Sequence, residues 1–508
     1  MHREAGRKPA GRKHGRKLWV AAGLMGVATA AIGAAVMPNL MPFVDPTGIV
    51  ATYNTAGAID TRNPFFQSLG TNGRSCATCH LAGDAFGLSV RSVKERFDTT
   101  GGHDPLFAAV DGANCTDAAA GDAAAHSALL NNGLFRVGLT LPDSPQFTIR
   151  TVRDPFGCAL VTDPLTGKRT VSVYRRPLPS SNLRFLSAVM WDGRETVAPL
   201  SDPATHDENL TAGLMQQSID ATLGHAQAAR PPTMAQRRAI VAFELGLTSA
   251  QSLDNLAGSL SVGDASGGPV SLSAQPFHPG INDTLGADPA GAPFSPAAFS
   301  LFDTFGDRDR SRSAGAATRK AITAGERLFN THPLTITRVA GLNDNPAVAS
   351  ALGVNLPIAA IPGTCTTCHN TPNVGNHSLP LPLDLGVSHD LINEGDTQVA
   401  AGLSHLAGPD VPVFEIDGCP NPFPDPARPD EPYVIYTSDP GRALITGLCS
   451  DVNRVKGPVL RGLAARAPYF HNGSAANIDQ LVGFYDERFQ MNLTEEEKSQ
   501  LAAFLNSL

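Results

Sequence analysis

The chain has 508 residues, too many for a single hydrophobic core, so length implies about two to four domains. It is 42 % hydrophobic with 49 glycines and 40 prolines, which allows sizeable cores but excludes a long-helix or coiled-coil protein. The formal charge is −8, and leaving out the seven cations and one anion of the first 18 residues takes it to −14; an acidic body without a basic stripe carries no footprint for nucleic acid.

In chain order, Arg3, Arg7, Lys8, Arg12, Lys13, Arg16 and Lys17 precede an uncharged apolar run from about Leu18 to Met41. A basic stretch followed by an apolar one predicts export, here to the periplasm, with residues 1–41 as the export segment. The run is close to the ~20 residues that span a bilayer, and no small-x-small cleavage site stands out. Cleaved signal and retained inner-membrane anchor both stay open. Residues 42–75 read as loop and short helix.

They lead to Cys76-Ala-Thr-Cys79-His80, and the same pattern returns as Cys365-Thr-Thr-Cys368-His369. Cys-x-x-Cys-His is the attachment signature of a c-type haem. Two thiols must reach the two vinyl groups on one porphyrin edge, and the adjacent imidazole must lie under the iron as proximal ligand. Zinc would want both Cys-x-x-Cys pairs at one metal, with no need for a histidine after each. The reading is two covalently bound haem c groups.

Residues 81–175 are rich in Gly, Asp, Pro and Ala and read as a decorated loop. The four remaining cysteines predict two disulfides, Cys115–Cys158 and Cys419–Cys449, each local to its own haem domain, although sequence alone does not fix the pairing. A denser stretch from Asn182 to Glu195 ends in Met190-Trp191-Asp192-Gly193-Arg194; the only other tryptophan, Trp19, lies in the export segment. Helical patterns follow over Leu210–Ala228 and Met234–Leu247, the second with Ile240, Val241, Phe243 and Leu247 on one face. The N-terminal haem domain is thus residues 42–248. Residues 249–319, shifted to Ser, Gly, Ala, Pro and Asp, read as an interdomain linker. The C-terminal haem domain, residues 320–508, opens with a helical pattern at Ala321–Phe329. The run Pro420-Asn-Pro-Phe-Pro-Asp-Pro forces a loop. Asn477-x-x-Gln480 and Thr494-x-x-Glu497 read as helix starts. Ile478, Leu481, Val482, Tyr485 and Phe489 share one face of the first helix, and Leu501, Phe504 and Leu505 one face of the second. The expected fold is mainly α, two cytochrome c-like haem domains with long loop insertions.

At Pro468-Tyr-Phe-His-Asn-Gly-Ser474 the chain resembles the bacterial diheme cytochrome c peroxidase superfamily, which includes the MauG-type enzymes. The landmarks run in the family's order: the first haem motif before Met190–Arg194, the second before Gly457-Pro-Val-Leu-Arg461 and the Pro468–Ser474 run. The segments between them are longer than the family pattern. The resemblance implies a peroxide-reactive N-terminal haem and a C-terminal haem that receives and stores electrons. It puts Trp191 between them as an electron relay, against the plain alternative of a core tryptophan, and His471 at the second cofactor. In the peroxidases a methionine lies fourteen residues beyond the histidine of Pro-Tyr-Phe-His, and in MauG-type enzymes a tyrosine; counting from His471 reaches Tyr485. Tyrosinate favours ferric and higher states of a haem, methionine a higher potential. Met491, the one methionine after Met234, is the alternative ligand.

The peroxide pocket departs from the family pattern, which has a glutamine after Trp-Asp-Gly-Arg and a glutamate ten residues later. Gln217 is the candidate glutamine, and the glutamate position falls on Gln227, which is no carboxylate. Splitting a peroxide needs a group that takes a proton from one oxygen and gives it to the other; His225 is the nearest side chain of that type. A solvated Gln217 and a packing or surface His225 are the plain alternatives. His103, His126, His206 and His377 could each cap a resting N-terminal haem, with His377 the one near the second motif. The resemblance also implies calcium between the domains, on an asparagine upstream of Trp-Asp-Gly-Arg and on carbonyls near Pro468. Arg176 falls near the first position and Arg466 just before the second; cations there argue against calcium, which stays open.

The functional expectation is a periplasmic oxidoreductase that reacts with hydrogen peroxide and takes electrons from a redox protein or a quinol. The alternatives are an electron-transfer cytochrome without catalysis and a diheme oxygenase.

Overall fold

A computed structural model of the chain describes residues 35–308, 314–388, 408–424 and 433–508. Residues 1–34 of the export segment lie outside it. The segment's last residues do not: strand Val36–Pro38 pairs antiparallel with Ala58–Asp60, so the folded body begins before residue 42. Among the described residues no helix is long and apolar enough to cross a membrane.

The architecture is less helical than expected, with 31 % helix and 16 % strand. The strands form six small sheets among the described residues. Residues 42–75 hold the first surprise. The β-branched run in Gly48–Asn54 forms a strand buried on both faces, and it pairs antiparallel with Leu247–Asp254, from Gly48 opposite Asp254 to Asn54 opposite Leu247. The start of the N-terminal half is thereby hydrogen-bonded to its end. The first residues read as linker are thus a core strand.

The later part of that stretch is also docked. Phe299, Phe302 and Phe305 are buried, and Phe299 meets Phe329 and Phe504 edge-on, each at 5.3 Å. The Glu326 carboxylate accepts the backbone N–H groups of Leu301 (2.6 Å) and Phe302 (2.9 Å). These contacts fix 298–305 against helices Ala314–Thr331 and Glu495–Asn506, the framework of the C-terminal half. Helices His206–Gly224 and Met234–Gly246 play that part in the N-terminal half. The two helix starts near the C-terminus are capped as expected: Asn477 accepts from Gln480, and Thr494 and Glu497 cap each other reciprocally.

The residues read as a decorated loop fold into strands. Phe135–Thr140, Arg169–Arg175 and Leu160–Thr162 make one three-stranded sheet. Strand Thr148–Arg153 pairs instead with Val413–Asp417 of the C-terminal half, which pairs in turn with Ile435–Thr437. Ile149, Val171, Val173, Phe414, Ile416 and Leu444 bury one common core beneath them. Both expected disulfides are present, with Cα–Cα distances of 6.1 Å for Cys115–Cys158 and 5.3 Å for Cys419–Cys449. Each bridge joins two cysteines of the same half, and Cys419 also packs into this shared core.

Candidate functional site

Each Cys-x-x-Cys-His motif opens one wall of an internal cavity. The first begins a helical turn, Cys76–Cys79, whose entry is fixed by Ser75 N–H donating to the Thr78 hydroxyl (3.0 Å). The second repeats the device, Thr364 N–H donating to the Thr367 hydroxyl at 3.0 Å. A hydroxyl three residues on satisfies a backbone donor that the turn would orphan. All four motif cysteines are free thiols. His80 is held through Nδ1 by the Phe86 carbonyl (3.2 Å), and His369 through Nδ1 by the Gly375 carbonyl (2.5 Å). That bond fixes ring orientation and leaves Nε2 for a metal. Burial pushes His80 down to about 4 and lowers His369 too, so both imidazoles are neutral, the ligating form.

The cavity above His369 is lined by Cys365, Cys368, Leu381, Tyr485, Phe489 and Met491 among others. Arg176, Lys456 and Arg466 line it as well, with Asp384 as the only carboxylate on its wall among the described residues. Burial and then the Arg466 charge push Lys456 down to about 8, and the Arg466 Nε has no protein partner. An apolar slot with free thiols, a neutral imidazole and buried cations, one of them with an unpartnered Nε, fits a haem and its propionates. Tyr485 and Met491 reach the same cavity, so geometry brings both candidate ligands to it. Burial holds the Tyr485 phenol well above its ordinary pKa, and its ring lies stacked with Phe489 at 6.0 Å. His377 also lines this cavity.

The cavity above His80 is lined by Cys76, Cys79, Arg74, Arg194, Leu214 and Gln217, with His225 at its edge. His80 and His225 are the only histidines on this wall among the described residues. His126 and His206 are occupied elsewhere, each bonded through Nε2 to a backbone carbonyl at 2.9 Å. Gln227 is not on the wall. Helix His206–Gly224 ends just before it, and Gln227 turns out at φ +53° to accept a weak bond from Asn72 (3.4 Å).

Sequence reading missed the partner of His225. Asp111 bridges two groups, one carboxylate oxygen on the Arg74 guanidinium and the other on His225 Nδ1. Burial pushes Asp111 up, but the His225 bond and charge and the Arg74 charge outweigh it, and the carboxyl lies below its ordinary value. A carboxylate on Nδ1 sets the histidine tautomer and leaves Nε2 for the cavity. Glu244 was missed as well. It lies on the same wall, burial pushes it up to about 8, and one of its oxygens has no partner. Neither acid stands in a local motif.

Trp191 forms part of both cavity walls. Its Nε1–H donates to the Arg176 carbonyl (2.8 Å), and its ring meets His471 edge-on at 6.0 Å. Asp192 pairs with Arg194 (2.8 Å) and with Arg175, which also grips Asp439 (2.6 and 2.8 Å). His471, pushed down to about 4 by burial, is bonded to the Ser388 hydroxyl (2.9 Å) and stands 3.7 Å from Asp439.

Arg176, which falls near the asparagine position of the calcium site that the resemblance implies, donates from its guanidinium to backbone carbonyls that include Arg466's at 2.8 Å. Among the described residues no group of three or more His, Cys, Asp or Glu side chains is arranged to hold a metal ion.

No family model matches the chain. It is 30 % identical over 158 residues to the cytochrome-c peroxidase IdrP2 of Denitromonas iodatirespirans, covering 29 % of this chain and 36 % of that one. It is 38 % identical over 80 residues to the cytochrome c551 peroxidase of Nitrosomonas europaea, covering 15 % and 24 %. The matches therefore span about a third or less of the length of these relatives. Among solved structures, a MauG-like protein associated with microbial copper homeostasis aligns over 69 % of this chain and 79 % of that chain, at 16 % identity and a TM-score of 0.26.

Proposed function

We propose that the chain is an exported diheme c-type oxidoreductase that reduces hydrogen peroxide in the His80 cavity and draws electrons through the His369 cavity. The observation that carries this reading is Trp191, one side chain common to the walls of two cavities that each present Cys-x-x-Cys-His. The sequence similarity to cytochrome c peroxidases supports the peroxide. Haem bound at both motifs supplies the redox iron.

The chain's own residues do the rest. His80 and His369 would hold the two irons through Nε2, since Nδ1 of each is engaged by a carbonyl. His225, oriented by Asp111, takes a proton from one peroxide oxygen and delivers it to the other, so that two electrons and two further protons turn one peroxide into two waters. Gln217 offers its amide to the bound peroxide. Trp191 would relay electrons between the cavities, and Tyr485 would be the side chain that holds the second iron opposite the motif histidine's wall. The electrons come from a redox protein or a quinol.

Electron paramagnetic resonance of the ferric holoprotein, before and after peroxide, tests this. One high-spin haem that reacts rapidly and a second, tyrosinate-ligated one are expected. Tyr485→Phe removes the tyrosinate signature and Met491→Leu leaves it. Two low-spin haems inert to peroxide would make the chain an electron carrier, and oxygen uptake without peroxide would make it an oxygenase.

A further inference from the structure

Arg176 is buried, and no carboxylate hydrogen-bonds its guanidinium. Its N–H groups donate instead to backbone carbonyls: Leu88, Arg466 at 2.8 Å, and more weakly Gly133 at 3.4 Å and Asn132 at 3.5 Å. These carbonyls come from three separate segments: the loop after the first haem motif, the end of helix Ser127–Asn132, and the turn before Pro468. The residue's main chain extends the junction. Its N–H donates to the His471 carbonyl (2.7 Å), and its own carbonyl receives the Trp191 indole (2.8 Å).

Converging carbonyls are among the oxygen ligands that a hard cation gathers around itself. Here the five-donor fork of a guanidinium does the gathering. Residue 133 fits this arrangement. A Cβ there would stand 1.9 Å from Arg176 Nη1, and its φ of +64° is a conformation that glycine adopts without strain. The charged groups facing Arg176 are Arg466 and, at longer range, Asp84; burial and then Arg466 push Arg176 down only to about 10, so it stays a cation at neutral pH. A divalent ion would have to displace it beside a second arginine, with carbonyls already engaged.

We propose that Arg176 is a built-in cation standing in for a bound metal, joining the two halves and setting the position of Trp191 without calcium. It is a positioning residue.

The test uses the holoprotein. Metal analysis and thermal unfolding after dialysis against EGTA, then with added Ca²⁺, read the claim without reference to catalysis, so its failure is distinct from failure of the peroxidase reading. Expected are far less than one calcium per chain and an unchanged Tm. Arg176→Ala lowers Tm by roughly 5 °C or more. It also slows electron transfer between the haems about tenfold or more, with guanidinium ion at tens of millimolar restoring part of both. Arg176→Lys, which keeps charge but not the fork, falls between. One calcium per chain whose removal lowers Tm would overturn the proposal. So would an Arg176→Ala protein with wild-type Tm and transfer rate. If that variant does not fold, the chelator and lysine arms still decide.

Discussion

Replacing Asp111 by asparagine removes the anion between Arg74 and His225 while keeping its shape. Breaking a buried ion pair costs about 3–5 kcal/mol when the partner is stranded. Arg74 is not stranded, because it also donates to the carbonyls of Pro105 (2.7 Å), Leu106 (2.7 Å) and Ala108 (3.3 Å). The fold should therefore lose about 2 kcal/mol and survive with haem attached. At His225, whose side chain is 49 % exposed, the charge-assisted bond sits at the low end of its range, about 1.5 kcal/mol. That is close to a factor of ten in rate. Removing the proton carrier itself, in His225→Ala, should cost about 10²–10⁴-fold. The assay is peroxide reduction under a reduced mediator, with kcat/KM followed from pH 5 to 8. Asp111→Asn should fall about tenfold and His225→Ala much further, both with normal haem content. A His225→Ala enzyme within about twofold of wild type would refute the assignment of the proton carrier.

Burial holds Glu326 up at about 7, above its unfolded value. The folded chain then keeps a proton that the unfolded chain has lost, so this residue's contribution weakens as pH rises from about 4.5 to 7. Glu326→Gln should flatten that part of a Tm-against-pH curve. Opening the Cys419–Cys449 bridge, which spans 30 residues, should cost roughly 3.5 kcal/mol in denaturant titrations of the double Cys→Ser variant. Phe302→Ala empties a fully buried site and should cost about 3–5 kcal/mol; a loss below about 1 kcal/mol would mean that 298–305 is only loosely docked.

What sequence reveals here is what chemistry or a short-range bond demands. The haem motifs are legible because thioether attachment and proximal ligation tolerate few other residues. The helix starts at Asn477 and Thr494 are legible because the cap and its partner lie three residues apart. The cavity face of Tyr485 followed from helical periodicity. Long-range pairings were invisible. Asp111 meets His225 across 114 positions, and nothing in Val110-Asp111-Gly112 announces a partner for a distant histidine. The strand Gly48–Asn54 finds its mate some two hundred residues on. Gln227 shows the opposite failure: the family's ten-residue spacing, counted from Gln217, runs past the end of the helix at Gly224 and reaches a residue off the cavity wall.

The strand shared between the halves has a consequence for how the protein is made. Thr148–Arg153 precedes its neighbour Val413–Asp417 by more than half the chain, so it has no strand partner until the C-terminal half folds beside it. Its sequence, Thr-Ile-Arg-Thr-Val-Arg, carries two arginines, which discourage docking of a foreign strand. One of them, Arg150, later pairs with Glu415 on the strand it was waiting for. The charge that guards the unpaired segment thus helps to select its partner, and a chain stopped before residue 413 would leave that segment without one.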